Sequence, residues 1–308
     1  MQPKFRNRRL AAALVLLAAI ASFDLLLARL ADREELGWRA ARIESRPVRL
    51  DARAFAPLRL AGAWRLTSTD PRFGGVSSLA IEGGQLLALT DAGALIRFRP
   101  REKDARIGEL PDGPGTGRFK SHRDSEALVR DPAGRGWWVA FENRHELWLF
   151  DPAFGRALQR IDLGRRGWRV NRGIEGVVAD GAALLLLHED GDRLLRITGA
   201  RARSIAIGSA GGAISEAAAL GAERYIAVER RVTPFGFRNA LVSLEKSGSG
   251  YRFGRRIALP LGPFDNVEAL AVERRAEGTL RLWLMTDDNF QPPLRTLLIA
   301  LDWPPPRQ

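Results

Sequence analysis

The chain has 308 residues, 45% hydrophobic and 27% charged, which is the composition of a globular protein with a large core and not of a disordered one. Its formal charge of +12 comes almost wholly from arginine; no stretch interleaves basic and aromatic residues as a nucleic-acid module does, so the charge reads either as a bias toward arginine or as a surface for anions. Cysteine is absent, which excludes disulfides, thiolate metal sites and cysteine nucleophiles.

Residues 1–30 read as an export signal or membrane anchor. Lys4, Arg6, Arg8 and Arg9 precede an apolar run from Leu10 to Ala21, and Ala19-Ile20-Ala21 places small residues where a signal peptidase reads them. Cleavage before Ser22 would release the chain. Retention would leave residues 10–30 as a tether, with Asp24 near the far end of the span. Either outcome places the protein in the periplasm or outside the cell, free or held to the inner membrane. Residues 31–57 are charged, lack strand periodicity and read as a linker or short helix.

From Leu58 onward, to about residue 303, the pattern is all-β. Short apolar runs such as Leu58–Leu66, Leu86–Thr90, Trp137–Phe141, Leu184–Leu187, Ala240–Leu244 and Leu280–Met285 are separated by glycine, aspartate and proline turns. Five of these segments repeat one phrase, aligned on Ser77, Glu126, Glu175, Ser215 and Glu268 at spacings of 49, 49, 40 and 53 residues. Periods of this size, with several strands per unit, indicate a β-propeller. Five repeats are visible. The stretches at 99–122 and 230–265 leave room for further strands, so the reading is five or six blades. Leu58–Leu66 is expected to pair with the last blade and close the ring.

In each repeat the second strand ends on an acid: Asp91, Glu142, Glu189, Glu229 and Asp287. The start of a first strand and the end of its antiparallel neighbour share one edge of a sheet. Ring closure should therefore gather these acids, with Glu126, Glu175 and Glu268, around one mouth of the channel. Crowded carboxylates raise one another's pKa or require a cation. An all-oxygen set in a chain with three histidines favours Ca²⁺, with Glu126, Glu175, Glu268 and Asp287 as ligands and Glu142 or Glu189 left to take a proton. His122, His145 and His188 fall at repeat edges, and His122 is the one assigned a catalytic place. Arg123, Arg144 and Arg172 are placed to bind an anionic substrate; Arg230 and Arg231 also flank repeat boundaries. Each of these residues has a plainer use in pairing with its neighbours. Blade four departs from the pattern: Ser215 holds the aligned position, and Glu216, one residue on, is expected on the opposite face of its strand. No Gly-x-Ser-x-Gly elbow, phosphate loop or His-Glu-x-x-His pair is present.

The phrases Phe73-Gly74-Gly75-Val76-Ser77-Ser78, Asp124-Ser125-Glu126-Ala127-Leu128, Asn171-Arg172-Gly173-Ile174-Glu175-Gly176, Asn266-Val267-Glu268-Ala269-Leu270 and Thr286-Asp287-Asp288-Asn289-Phe290 resemble the phytase-like family, known by the label "esterase-like activity of phytase". The resemblance spans residues 60–302. It implies a propeller-like fold and hydrolysis of a small anionic ester or phosphoester by an exported bacterial protein, without assigning a nucleophile. The aspartate-dense motifs of calcium-dependent propeller phytases are absent, which argues against phytate itself. A calcium-dependent lactonase is a variant of the same expectation. A non-catalytic propeller that binds a ligand or an envelope protein is the alternative. A monomer that binds no nucleic acid is expected.

Overall fold

The computed structural model describes residues 37–115, 122–166, 168–169, 172–199, 201–275 and 278–303. The leader expected over residues 1–30 lies outside them. Five antiparallel sheets form five blades of one propeller. Blade 1 is built from β4 (Val76–Glu82), β5 (Gln85–Thr90), β6 (Ala94–Phe98) and β7 (Asp104–Glu109). Blade 2 comprises β8 (Ser125–Arg130), β9 (Trp137–Phe141), β10 (Glu146–Phe150) and β11 (Ala157–Asp162). Blade 3 comprises β12 (Ile174–Asp180), β13 (Ala183–His188), β14 (Leu194–Thr198) and β15 (Arg201–Ile205). Blade 4 comprises β16 (Ala213–Gly221), β17 (Arg224–Thr233), β18 (Gly236–Ser247) and β19 (Gly250–Leu259).

Blade 5 joins the two ends of the chain. Its β20 (Asn266–Arg274), β21 (Leu280–Asp287) and β22 (Leu297–Trp303) come from the C-terminal part, and β22 pairs with β3 (Arg59–Thr67). This is the expected ring closure, with Leu298 opposite Trp64 and Ile299 opposite Ala63. The stretch read as a linker contributes strands from residue 39 on. β1 (Arg39–Arg42) adds to the outer edge of blade 1, and β2 (Glu44–Pro47) adds to β3. Both are mostly exposed, so they need no apolar alternation, which is why periodicity did not reveal them. The space left for a sixth blade is filled by outer strands instead: β7 in blade 1 and the long β17–β18–β19 meander in blade 4. Among the described residues no helix is long and apolar enough to cross a membrane.

The inner strands are β4, β8, β12, β16 and β20, each in contact with the next around the channel. Successive side chains on a strand point to opposite faces, and in a propeller both faces of a blade meet a neighbour. In β5, Leu86 and Ala88 pack toward Ala271, Trp283 and Met285 of blade 5, whereas Leu87 and Leu89 pack toward Trp137, Val139 and Phe141 of blade 2. Each gap between blades is filled in the same way, giving five apolar layers. The middle strands therefore read as continuous apolar runs.

At the far ends of the blades, polar side chains brace the turns. Asp131, almost fully buried, accepts from the Trp138 indole at 2.7 Å and from the Arg135 guanidinium at 2.9 and 3.0 Å. Burial works against its charged form, but Arg135 and Trp138 outweigh that and hold the carboxyl at about 2.

Two outcomes follow for the ring and its braces. A chain starting at residue 68, without β3, should lose cooperative thermal unfolding, whereas one starting at residue 49 should keep it with a lower midpoint. A depressed carboxyl stabilises above its ordinary value of 3.8 and loses that contribution as pH falls toward about 2. Asp131→Asn should therefore melt below wild type at pH 7, with the difference shrinking across that acid window.

Candidate functional site at the channel mouth

One irregularity recurs in all five blades and shapes the mouth. Each inner strand carries a β-bulge two residues in: Val76 pairs with Thr90 and Ser78 with Leu89, leaving Ser77 as the extra residue. The equivalent extra residues are Glu126, Glu175, Ser215 and Glu268. These are the five positions on which the repeats align. A bulge breaks face alternation and re-aims side chains, so the aligned residues sit where the strand deviates from regular pleating.

The bulge also corrects the expectation for Glu216. Its side chain does not turn away from the channel. It crosses to blade 1, where Ser78 Oγ donates to it, while the Ala217 N–H donates to its other oxygen at 2.8 Å. Ser78 in turn accepts from the Leu128 N–H of blade 2 at 3.0 Å. One serine and one glutamate thus bolt three blades together across the axis. Glu216 is 2% exposed, and burial pushes its carboxyl well above the usual range despite these donors.

Backbone hydrogen bonds hold the strand-end acids around the rim. Asp91, Glu142 and Glu189 each donate from N–H to the carbonyl of the residue two positions before the bulge: Gly75, Asp124 and Gly173, at 2.8, 2.8 and 3.0 Å. The carbonyl of Glu189 then accepts from Ile214 N–H at 2.7 Å, tying blade 3 to blade 4. A Cβ at Gly173 would lie 2.9 Å from Glu142 Cγ, so glycine there lets the acid pack against the backbone. At the seam, Asp288 accepts from the Gly75 N–H at 2.9 Å and from Thr296 Oγ1 at 3.0 Å, and Phe290 lies over Gly74 and Gly75. The Phe73-Gly74-Gly75 and Asp287-Asp288-Asn289-Phe290 phrases therefore meet where the ring closes.

Carboxylate oxygens of Asp124, Glu126 and Glu142 lie within 4.8 Å of one another, and so do those of Glu142, Glu175 and Glu189. Glu142 belongs to both groups, so five acids form one continuous cluster spanning blades 2 and 3. Burial, then Glu175, Asp124 and Glu142, push Glu126 well above the usual carboxylate range. Burial and Glu142 do the same to Glu175, against the pull of Arg230. Burial raises Glu189, while Arg172 and Arg230 oppose it. Hard oxygen donors at this spacing are of the kind that divalent cations such as Ca²⁺ accept.

The structure brings Glu126, Glu142, Glu175 and Glu189 together. It does not place Glu268 or Asp287 in that cluster. Glu268 is engaged by Arg230 and accepts from Asn266 Nδ2 at 2.7 Å. Asp287 accepts the Asn289 N–H at 2.7 Å. Glu229 is held by Arg231 and Arg256. Arg172 pairs with Asp190 at 2.6 Å and Glu189 at 3.4 Å. Arg144 meets His122 at 2.9 Å, and Arg123 lies against Gly113. His145 and His188 are buried on either side of the Trp168 ring, at 5.5 and 4.9 Å. Burial lowers the pKa of both, and His188 Nδ1 accepts the Asp190 N–H at 3.2 Å.

Sequence reasoning missed one participant, Asp124, and the cross-blade partners of another, Arg230. Asp124 lies two residues before the aligned glutamate and joins the cluster because the bulge returns the chain toward the rim. Arg230 reaches Glu268 in blade 5 and, at 3.7 Å, Glu189 in blade 3. Its only sequence signal was its place just after a strand-end acid.

Residues 71–290 match the family described as phytase-like, esterase-like activity of phytase. Comparison with curated proteins finds no match. Among solved structures, glutaminyl cyclase from Myxococcus xanthus is similar at 13% identity and a TM-score of 0.46, over 87% of this chain and 99% of that one. Hydrazine synthase from Kuenenia stuttgartiensis is similar at 11% identity and a TM-score of 0.41, over 76% of this chain and 64% of that one. A chain of the nidogen/laminin complex gives 11% identity and a TM-score of 0.44, over 81% and 88%.

The cross-channel bolt sets a stability outcome. Ser78→Ala leaves a Glu216 oxygen and the Leu128 N–H without their partner, which costs about 2–3 kcal/mol. For a ring of this size the melting temperature should fall by roughly 4–12 °C, measured by calorimetry.

Proposed function

The chain belongs to the phytase-like family, esterase-like activity of phytase, and on that premise we propose that it is a hydrolase of a small anionic ester or phosphoester. The supporting observation is the cluster of Asp124, Glu126, Glu142, Glu175 and Glu189 at one channel mouth. In this reading Ca²⁺ is held by Asp124, Glu126, Glu142 and Glu175. When bound, the cation supplies Lewis-acid polarisation of the scissile carbonyl or phosphoryl oxygen.

The protein's own groups do the rest. Glu189 lies at the edge of the cluster, between Arg172 and Arg230. Burial raises its proton affinity, which suits a group that takes a proton from water near neutral pH. Arg172, 44% exposed, lies on the solvent side of Glu189 and presents a guanidinium fork to the anionic part of the substrate. Arg144 and His122 form a second polar pair at the rim. Arg230 neutralises Glu268 and keeps that acid out of the cation site. The Glu216–Ser78 bolt obstructs the axis below, so substrate meets the acids from the open end.

An exported protein, free or held by its leader, fits this reading, because Ca²⁺ is abundant outside the cytoplasm. Adding Ca²⁺ to chelator-treated protein should raise the melting temperature, by an amount equivalent to about 2.7 kcal/mol at a hundredfold excess over Kd. Glu175→Gln should remove both this shift and the hydrolysis of p-nitrophenyl phosphate and p-nitrophenyl acetate. A Ca²⁺ shift in wild type without turnover of any ester, lactone or phosphoester would point instead to a binding propeller. Turnover unchanged in Glu175→Gln would take that residue out of the site.

A further inference from the structure

The β17–β18 hairpin rises beyond the acid mouth. At the rim, Ile214 pairs with Glu229 and Ala213 with Arg230, and there β16 ends. The β17–β18 ladder continues through Arg231 and Arg238, Val232 and Phe237, to Thr233 and Gly236. Val232 is 76% exposed and Phe235 at the turn is 83% exposed; Phe264, on the loop from β19 to β20, is 51% exposed. Among the described residues one other large apolar side chain is exposed, Leu158 on blade 2. Three of the four thus share one projection.

The projection is braced. Thr233 Oγ1 donates to the Gly236 carbonyl at 2.8 Å and accepts the Phe235 N–H at 3.2 Å. Phe237 N–H donates to the Pro263 carbonyl at 2.8 Å, which ties the loop bearing Phe264 to the hairpin. Gly236 has φ +110° and a side chain there would collide with that carbonyl, so the close approach requires glycine. Exposed aromatic side chains on a fixed, convex tip suit a surface that yields to them; a small molecule needs a concave site.

Charge identifies the surface. On the hairpin between the rim and the tip the charged residues are Arg230, Arg231 and Arg238, whereas Glu245, Lys246 and Arg252 lie by the turn at the opposite end of the sheet. Arg231 and Arg238 face each other across the ladder, one step below the apolar pair. Glu229 takes up Arg231 from below at 3.2 Å, and the second positive charge of the pair, on Arg238, favours an anionic face above it. Phenylalanine tips above an arginine collar match a layer that is apolar within and anionic at its face. We propose that the Val232–Phe235–Phe264 tip inserts into an anionic lipid surface, with Arg231 and Arg238 at the headgroups, and so turns the channel mouth toward the bilayer. This docking is independent of the chemistry at the mouth and of any tether through residues 10–30.

The absence of cysteine provides a clean test. Phe235→Cys in the full chain, labelled with an environment-sensitive fluorophore, is mixed with vesicles of phosphatidylcholine alone or with phosphatidylglycerol; Leu158→Cys is the labelled control. Both positions are exposed, so the unfolding midpoint verifies that the ring is intact. On mixed vesicles the label at 235 should shift to the blue and become shielded from aqueous iodide, while the label at 158 stays in water. Adding Arg231→Gln and Arg238→Gln should lower the ratio of docked to free tips about 30-fold. The proposal is overturned if the label at 235 stays as exposed as that at 158, as it would were the tip made for a protein partner. Equal shielding on neutral vesicles would overturn it too.

Discussion

Every blade of this protein is apolar on both faces, and that constraint dictates the rest. A sheet such as β4–β5–β6 cannot leave either face in water, because Leu86 and Ala88 on one side and Leu87 and Leu89 on the other all need cover. Burial at about 25 cal/mol per Å² of apolar surface makes an uncovered face costly. A row of such blades is satisfied only when its last member meets its first. The β22–β3 ladder makes that meeting permanent by giving blade 5 strands from both ends of the chain. The architecture is therefore a consequence of side-chain alternation in the middle strands, with the hydrogen-bonded seam as its fastening.

Closing the ring creates the electrostatic problem that gives the mouth its character. The bulges of β8 and β12 bring Glu126 and Glu175 close to the strand-end acids Glu142 and Glu189, and burial then penalises each negative charge. The protein answers unevenly around the rim. On the blade 4 side Arg230 pairs with Glu268, and Arg231 and Arg256 hold Glu229. On the blade 3 side Arg172 and Arg230 reach Glu189 at 3.4 and 3.7 Å, while the buried Glu126 and Glu175 are crowded by neighbouring acids. Fivefold repetition in sequence has become an uneven distribution of acids in space, and the blades where the acids crowd are where chemistry is expected.

Much of this was legible in the sequence, for definite reasons. The inner and middle strands announced themselves because they are buried, and their spacing gave the propeller. The outermost strands did not: β11 and β15 carry Ala-Leu-Gln-Arg-Ile-Asp and Arg-Ala-Arg-Ser-Ile, which read weakly because one edge and much of both faces meet water. β1 and β2 were missed for the same reason. The acid mouth followed from antiparallel pairing, and Glu126, Glu142, Glu175 and Glu189 assemble as that logic requires. Glu268 shows where repeat equivalence stops, since its position matches theirs but an arginine from the neighbouring blade takes it over. Glu216 was misread because alternation was assumed to continue through a point where the strand bulges. Neither cross-blade partnership leaves a mark in local sequence.

The seam also has a temporal side. β3 and its partner β22 stand at opposite ends of the ring's sequence, with every other blade between them. Until they pair, blade 5 lacks part of its sheet. Contacts of such sequence separation form slowly, and they form late. The seam therefore makes completion of the ring the slow step, because the last blade has a whole sheet only when distant parts of the chain have met.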